Sequence, residues 1–219
     1  MSLKIYGHLF SSYTQKALTA LYENDTPFDF LELSPEHPDI QADFAQRWPI
    51  GRFQLLVEGE RQVMEATSII EYLDLHHPGR TRFIPGDADA AIEARMMDRF
   101  FDNYIHGPLQ KIVFNQIRPE DQRDPYGVDE ACKMLETAYA WLDGRMTDRE
   151  WAAGDSFGLA DCAAAPALFY ADWTHGIDSR FSNVRAYRAR LLSRPSFARC
   201  VEGGRPYRSF FPLGAPDRD

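Results

Sequence analysis

The stretch Phe53-Gln54-Leu55-Leu56-Val57-Glu58-Gly59-Glu60-Arg61-Gln62-Val63-Met64-Glu65-Ala66-Thr67-Ser68-Ile69-Ile70-Glu71-Tyr72-Leu73 decides the fold. Phe53 to Val57 is a short apolar run, Glu58-Gly59-Glu60 is turn chemistry, and Gln62 to Met64 returns as a second short strand, which together read as a β-hairpin. The period then changes. Ile69, Ile70 and Leu73 recur at helical spacing, and the run stops near His76-His77-Pro78-Gly79, where Pro and Gly end a helix.

Outward from this stretch, the preceding residues alternate strand and helix signals. Leu3 to Tyr6 reads as a first strand, Gly7 to Ser12 as a loop, and Thr14, Ala17, Leu18 and Leu21 as a helix. Phe28, Phe30 and Leu33 suggest a second strand, ending before Ser34-Pro35-Glu36-His37-Pro38. Alternating elements of this kind imply a mixed sheet with helices packed on it. The segment 79–87 carries Pro and Gly and few core residues, so it reads as a linker. Beyond it no strand signal appears. Ile92, Met96 and Phe100 with Asn103 and Tyr104, then Val128 to Leu142, then Leu159 to Tyr170, then Val184, Tyr187 and Leu191 all repeat at helical spacing, and Pro195 opens a short last helix. The expected organisation is a sheet-containing domain over 1–78, a linker over 79–87, an all-helical domain over 88–204 and an extended tail over 205–219.

Composition narrows the function classes. The chain has 219 residues, 44% apolar and 26% charged, with a net charge of −9. Residues 1–80 carry six basic and twelve acidic side chains. No basic stripe is available to neutralise phosphates, which argues against nucleic-acid binding. The three cysteines, Cys132, Cys162 and Cys200, show neither disulfide nor zinc spacing and read as reduced, buried thiols. The N-terminus lacks a signal-peptide pattern and no run approaches 18 apolar residues, so a cytoplasmic protein without a membrane span is expected.

Five places in the chain resemble the cytosolic glutathione transferase superfamily, in the family's order. Ser11-Ser12-Tyr13-Thr14-Gln15-Lys16 is similar to the loop that opens the first helix of serine-type, bacterial-like members. Trp48-Pro49-Ile50-Gly51-Arg52-Phe53-Gln54-Leu55-Leu56 resembles N-P-x-G-K-V-P-x-L, and Glu65 to Leu73 resembles E-S-x-A-I-x-x-Y-L. Gly158-Leu159-Ala160-Asp161 with Pro166 resembles the S-x-A-D capping motif, and Val184 to Tyr187 with Arg194 to Phe197 resembles the final helices. The resemblance implies a thioredoxin-like α/β N-terminal domain with a mixed four-stranded sheet, followed by an all-α C-terminal helical bundle. It implies a homodimer that takes glutathione as co-substrate and conjugates it to small apolar electrophiles in detoxification, with no metal.

Glutathione is a tripeptide with a thiol and two carboxylates, and its thiolate is the nucleophile. Lowering a thiol pKa near ~8.5 by about two units requires roughly 2.7 kcal/mol, within reach of one or two hydrogen bonds to the anion. Ser11, just ahead of the first helix, is the candidate donor, with Ser12 and Tyr13 as substitutes; its other reading is a plain N-cap. Lys16 reads as a solvated helix residue. By the resemblance, Glu65 receives the ligand's ammonium group, the helix N-terminus at Ala66 receives its carboxylate, and the Phe53 backbone meets its cysteinyl group. Ala66 replaces the family's Ser. Gln54 stands where the family has a cis-proline. A cis bond before a non-proline costs about 2.5–4 kcal/mol, so trans is expected, with the site then altered or absent; a cis bond would keep its geometry.

Asp161 reads as a helix-capping carboxylate and Pro166 as a helix kink. Phe100 and Tyr104, with Phe101 and His106, are the expected aromatic walls of the electrophile pocket. His76 and His77 point apart on a helix and read as surface residues. Two other functions fit the same residues: a non-catalytic binding or interaction protein of this fold, supported by Gln54 and Ala66, and a glutathione-dependent isomerase or peroxidase.

Overall fold

The computed structural model describes residues 2–219. The first domain is built on a four-stranded sheet of order β2-β1-β3-β4. Strand β1 (Leu3–Gly7) runs parallel to β2 (Phe28–Glu32) and antiparallel to β3 (Leu55–Glu58), which pairs antiparallel with β4 (Arg61–Met64). The two-residue alternation of strands sends Ile5 and Leu56 to one face, under α1 (Ser12–Glu23) and α3 (Ala66–His76). It sends Tyr6, Leu55 and Val57 to the other, where Phe44 of α2 (Pro38–Arg47) covers them. The strand expected from Phe53 begins two residues later, at Leu55.

The rest is helical, as expected: α4 (Ala88–Phe100), a π-helical turn (Phe101–His106), α5 (Gly107–Ile117), α6 (Pro125–Arg145), α7 (Leu159–Thr174), α8 (Ser182–Ser193) and α9 (Pro195–Gly204). Nearly all of α7 is buried, which suits a helix that is apolar on every side and lies at the domain's centre. It continues unbroken through Pro166. Asp161 accepts hydrogen bonds from Gly158 N and Ala152 N, both at 2.9 Å, and from the Tyr187 hydroxyl, so it ties the helix start to the preceding loop and to α8. At Gly158, where the resembling motif has serine, a Cβ would sit 3.0 Å from the carbonyl oxygen of Phe83. Among the described residues no helix is long and apolar enough to cross a membrane.

The 79–87 segment carries one core residue, Phe83, which is 1% exposed and whose amide donates to Asp74 at 2.7 Å. Two readings need correction. The tail is not simply extended. Arg205–Phe210 is a 3₁₀ helix, and Asp219 accepts from Arg205 and Arg208, folding the chain end back. Lys16 is not solvated. It is 1% exposed, with Nζ 2.7 Å from Asp98, 2.9 Å from Asp102 and 3.0 Å from Thr67. A second buried link joins the domains at Glu23, which accepts from Arg194 and Ser196. Burial alone would raise that carboxyl, but Arg194 and the Ser196 and Thr81 hydroxyls hold it below its ordinary value.

Candidate active site

The ends of β1, β3 and β4 and the starts of α1 and α3 converge on a cavity of about 550 Å³ that the helical domain closes from the other side. Its sheet-domain wall brings together Ser11, Phe53, Glu65 and Ala66 of the sequence reading, with Ser12 and Tyr13.

Ser11 is the N-cap of α1. Its Oγ accepts from Thr14 N at 3.4 Å, which uses a lone pair and leaves the hydroxyl proton free to donate. The loop before it is pinned from both sides: the Tyr170 hydroxyl donates to Phe10 O at 3.0 Å, and Gln15 Nε2 donates to Leu9 O at 2.9 Å. Ser12 faces the other domain, with Oγ 2.9 Å from His106 Nε2. The Tyr13 ring lies on the His106 ring at a centroid distance of 4.3 Å. Burial, with Asp102 and Glu65 nearby, pushes the Tyr13 hydroxyl up to about 12, so it stays protonated. Burial and the charge of Lys16 pull His106 down to about 3, so its ring stays neutral.

Glu65 sits at φ 67°, a left-handed conformation that costs a non-glycine residue of order 1–3 kcal/mol and tends to occur at functional positions. That turn aims Ala66 and α3 at the cavity, and no side chain caps the helix N-terminus. The Glu65 carboxylate makes no hydrogen bond or ion pair among the described residues. A free carboxylate beside free helix amides is chemistry for a zwitterion. The Phe53–Gln54 bond is cis, which corrects the trans expectation. Gln54 itself is 3% exposed and directly precedes β3. Phe53 itself is 40% exposed at the cavity rim.

Phe100 and Tyr104 do not line the cavity. Phe100 packs on Trp141 at 4.7 Å, and Tyr104 is 49% exposed on the same outer face. The reading assumed an α-helical period through residue 104. The wider π turn over Phe101–His106 lags behind that period; it leaves Phe101 in the core, and His106, also expected as a wall, does line the cavity. The helical-domain wall comprises His106, Leu109, Gln110, Val113 and Phe114, with Tyr170 and Phe210 to Pro212. Leu109 and Val113 are four apart on α5, a signal that was readable. Phe210 and Phe211 were lost in a segment read as tail. Arg52, between Gly51 and Phe53 in a motif already singled out, is the missed cationic lining residue.

The family profile "Glutathione S-transferase, N-terminal domain" matches residues 5–81, and "Glutathione S-transferase, C-terminal domain" matches residues 125–190. Glutathione S-transferase GstB of Escherichia coli (strain K12) is 25% identical over 208 residues, covering 91% of this chain and 97% of that protein. A glutathione S-transferase of Silene vulgaris is 27% identical over 212 residues, covering 92% and 97%. The crystal structure of a glutathione S-transferase from Methylobacterium radiotolerans in complex with glutathione sulfonate has a TM-score of 0.79 at 26% identity, over 92% of this chain and 95% of that one. One from Methylobacillus flagellatus with glutathione bound shares the fold, with a TM-score of 0.82 at 24% identity over 91% and 98%. The two profile matches fall on the sheet domain and on the helical domain, in sequence order, and with the whole-length relatives they show that this chain belongs to the glutathione transferase superfamily.

Proposed function

We propose that the protein is a cytoplasmic glutathione transferase that conjugates glutathione to small apolar electrophiles. The observation that carries this reading is the division of one cavity into a polar wall with separate partners for each end of glutathione and an apolar wall opposite. The Glu65 carboxylate takes the γ-glutamyl ammonium, and the amides at the start of α3 take the adjacent carboxylate. The Phe53 backbone pairs with the cysteinyl group, and Arg52 offers a cation to the glycyl carboxylate. Ser11 donates to the sulfur at the N-terminus of α1, where the helix dipole also favours an anion.

The thiol then loses its proton to solvent and attacks the electrophile. A carbon–sulfur bond forms as the leaving group departs or the double bond accepts the electron pair. Leu109, Val113, Phe114 and Phe211 give the electrophile an apolar seat, and no metal is required for any of these steps. The chain acts as a homodimer through the outer stripe of Ile92, Met96 and Tyr104, which are 64%, 50% and 49% exposed, with Trp141 beside them. Isolated exposed apolar residues are ordinary; Ile92 and Met96 are four apart on α4 and Tyr104 follows in the π turn that continues it, which supports a shared docking face.

Steady-state conjugation of glutathione to an activated aryl halide, an epoxide and an enone tests the proposal. Saturable turnover with at least one, lost on removal of glutathione, is expected. Tight glutathione binding with no turnover across the panel would contradict it and leave a binding protein.

A further inference from the structure

The Ser12 hydroxyl has one hydrogen-bond partner among the described residues, and it comes from the other domain. Its Oγ lies 2.9 Å from His106 Nε2. His106 is 2% exposed, held under the Tyr13 ring, and delivered by the π turn that ends at it. Both members of the pair line the cavity. The groups that face His106 are Ser12, Tyr13 and the charged Lys16, all from α1.

A serine hydroxyl has one proton to give. With no proton on Nε2, Ser12 donates to the ring and turns only lone pairs toward the cavity. With a proton on Nε2, the ring donates to Oγ, and the Ser12 proton is free to face the cavity. The ring tautomer therefore decides whether Ser12 repels an anionic sulfur or holds it. A neutral imidazole has a single N–H proton to place, and its location is set by the bonds each nitrogen makes. A thiolate selects the form with that proton on Nε2, because an N–H···O–H···S⁻ chain polarises along its length.

We infer that His106 is a positioning residue for thiolate formation: its Nε2–H donates to Ser12 and turns the Ser12 hydroxyl proton onto the glutathione sulfur, so that Ser12 is a second donor beside Ser11. The inference rests on the glutathione reading above. No proton is gained by His106. The thiol proton goes to solvent, the sulfur keeps the electron pair, and the ring keeps its single proton. Burial and Lys16 disfavour an imidazolium, which excludes His106 as the base that stores the thiol proton.

The test is an ultraviolet titration of glutathione bound to the full chain, read as thiolate absorbance. It compares the wild type, His106→Phe, His106→Gln, Ser12→Ala and the Ser12→Ala/His106→Phe double variant. Phe keeps a ring against Tyr13 and removes the donor. The expected midpoint rises by about one pH unit in His106→Phe, equally in Ser12→Ala, and no further in the double variant. Gln, which retains an N–H donor, recovers part of the shift. At neutral pH kcat falls several-fold, while the KM for glutathione stays within about twofold.

Wild-type midpoints in both single variants, or two shifts that add, overturn the inference. Should His106→Phe fail to fold by circular dichroism, Ser12→Ala decides alone, and an unchanged midpoint overturns it. A wild-type chain that binds no glutathione at millimolar concentration overturns the glutathione reading itself. Normal wild-type binding with indistinguishable variants overturns only the role of His106.

Discussion

The sheet-domain wall of the cavity is made of element ends that lie within the first third of the chain: the cap of α1, the lead into β3 and the turn into α3. The helical-domain wall combines the π turn, α5, Tyr170 and a C-terminal turn more than a hundred residues from His106. The first wall works largely through backbone groups and caps, whose chemistry is set by a few neighbouring residues. The second works through side-chain faces, whose direction depends on helix phase and on packing between distant segments. Motifs report the first kind of construction and are nearly blind to the second.

The strongest way to break this arrangement is at the bolt between the walls. Lys16 on α1 meets Asp98 of α4 and Asp102 of the π turn, all largely out of solvent. Lys16→Met leaves two acids short of their buried partner and should destabilise the chain by about 3–5 kcal/mol in urea unfolding. A loss below about 1 kcal/mol would mean that this ion cluster contributes little to holding the walls together.

The next effect is a pH limb that belongs to the helical wall. His106 is lowered to about 3 in the fold against an ordinary value near ~6.5 in the unfolded chain. Between those values the unfolded state binds the extra proton. The contribution is therefore fully present above the unfolded value and is lost as pH falls, at a slope of about 1.4 kcal/mol per unit. His106→Asn should flatten that part of the acid limb in urea unfolding between pH 6.5 and 4. Parallel limbs in wild type and variant would place the imidazole in contact with water.

Glu65→Gln sharpens the sheet wall. Removing the charge from a charge-assisted contact should weaken glutathione binding by about 2 kcal/mol, or roughly thirtyfold, while leaving the electrophile KM unchanged. Phe210→Ala is the smallest change, and it tests the opposite wall. Phe210 is 66% exposed, so stability should move by less than about 0.5 kcal/mol. The KM for a bulky apolar electrophile should rise several-fold, with glutathione affinity untouched. If either substitution alters both ligands alike, the division of labour between the walls is wrong.

The sequence made the fold legible because its signals were local and consistent. The hairpin at residues 55–64, the helix from Ala66 and the capped start of α7 at Asp161 each follow from neighbouring residues. Glu65 and Ser11 were legible as cavity residues for the same reason. Phe100 was misplaced because it continues the outward stripe of Ile92 and Met96, four residues apart on α4, whose inward face is Ala94, Met97 and Phe101; Tyr104 lies beyond the start of a π turn that nothing in residues 101–106 announces. Lys16 was misread because its partners, Asp98 and Asp102, are more than eighty residues away and meet it only once the domains dock. The cis bond before Gln54 runs against the local preference, and no short-range signal marks it.

The central claim is that this cavity both holds glutathione and ionises its thiol. Calorimetric titration of the wild-type chain with reduced glutathione, in two buffers of different ionisation enthalpy, measures affinity and proton release together. The account predicts saturable binding with release of a substantial fraction of a proton at neutral pH. No binding at millimolar ligand, or binding with the same heat in both buffers, would contradict it.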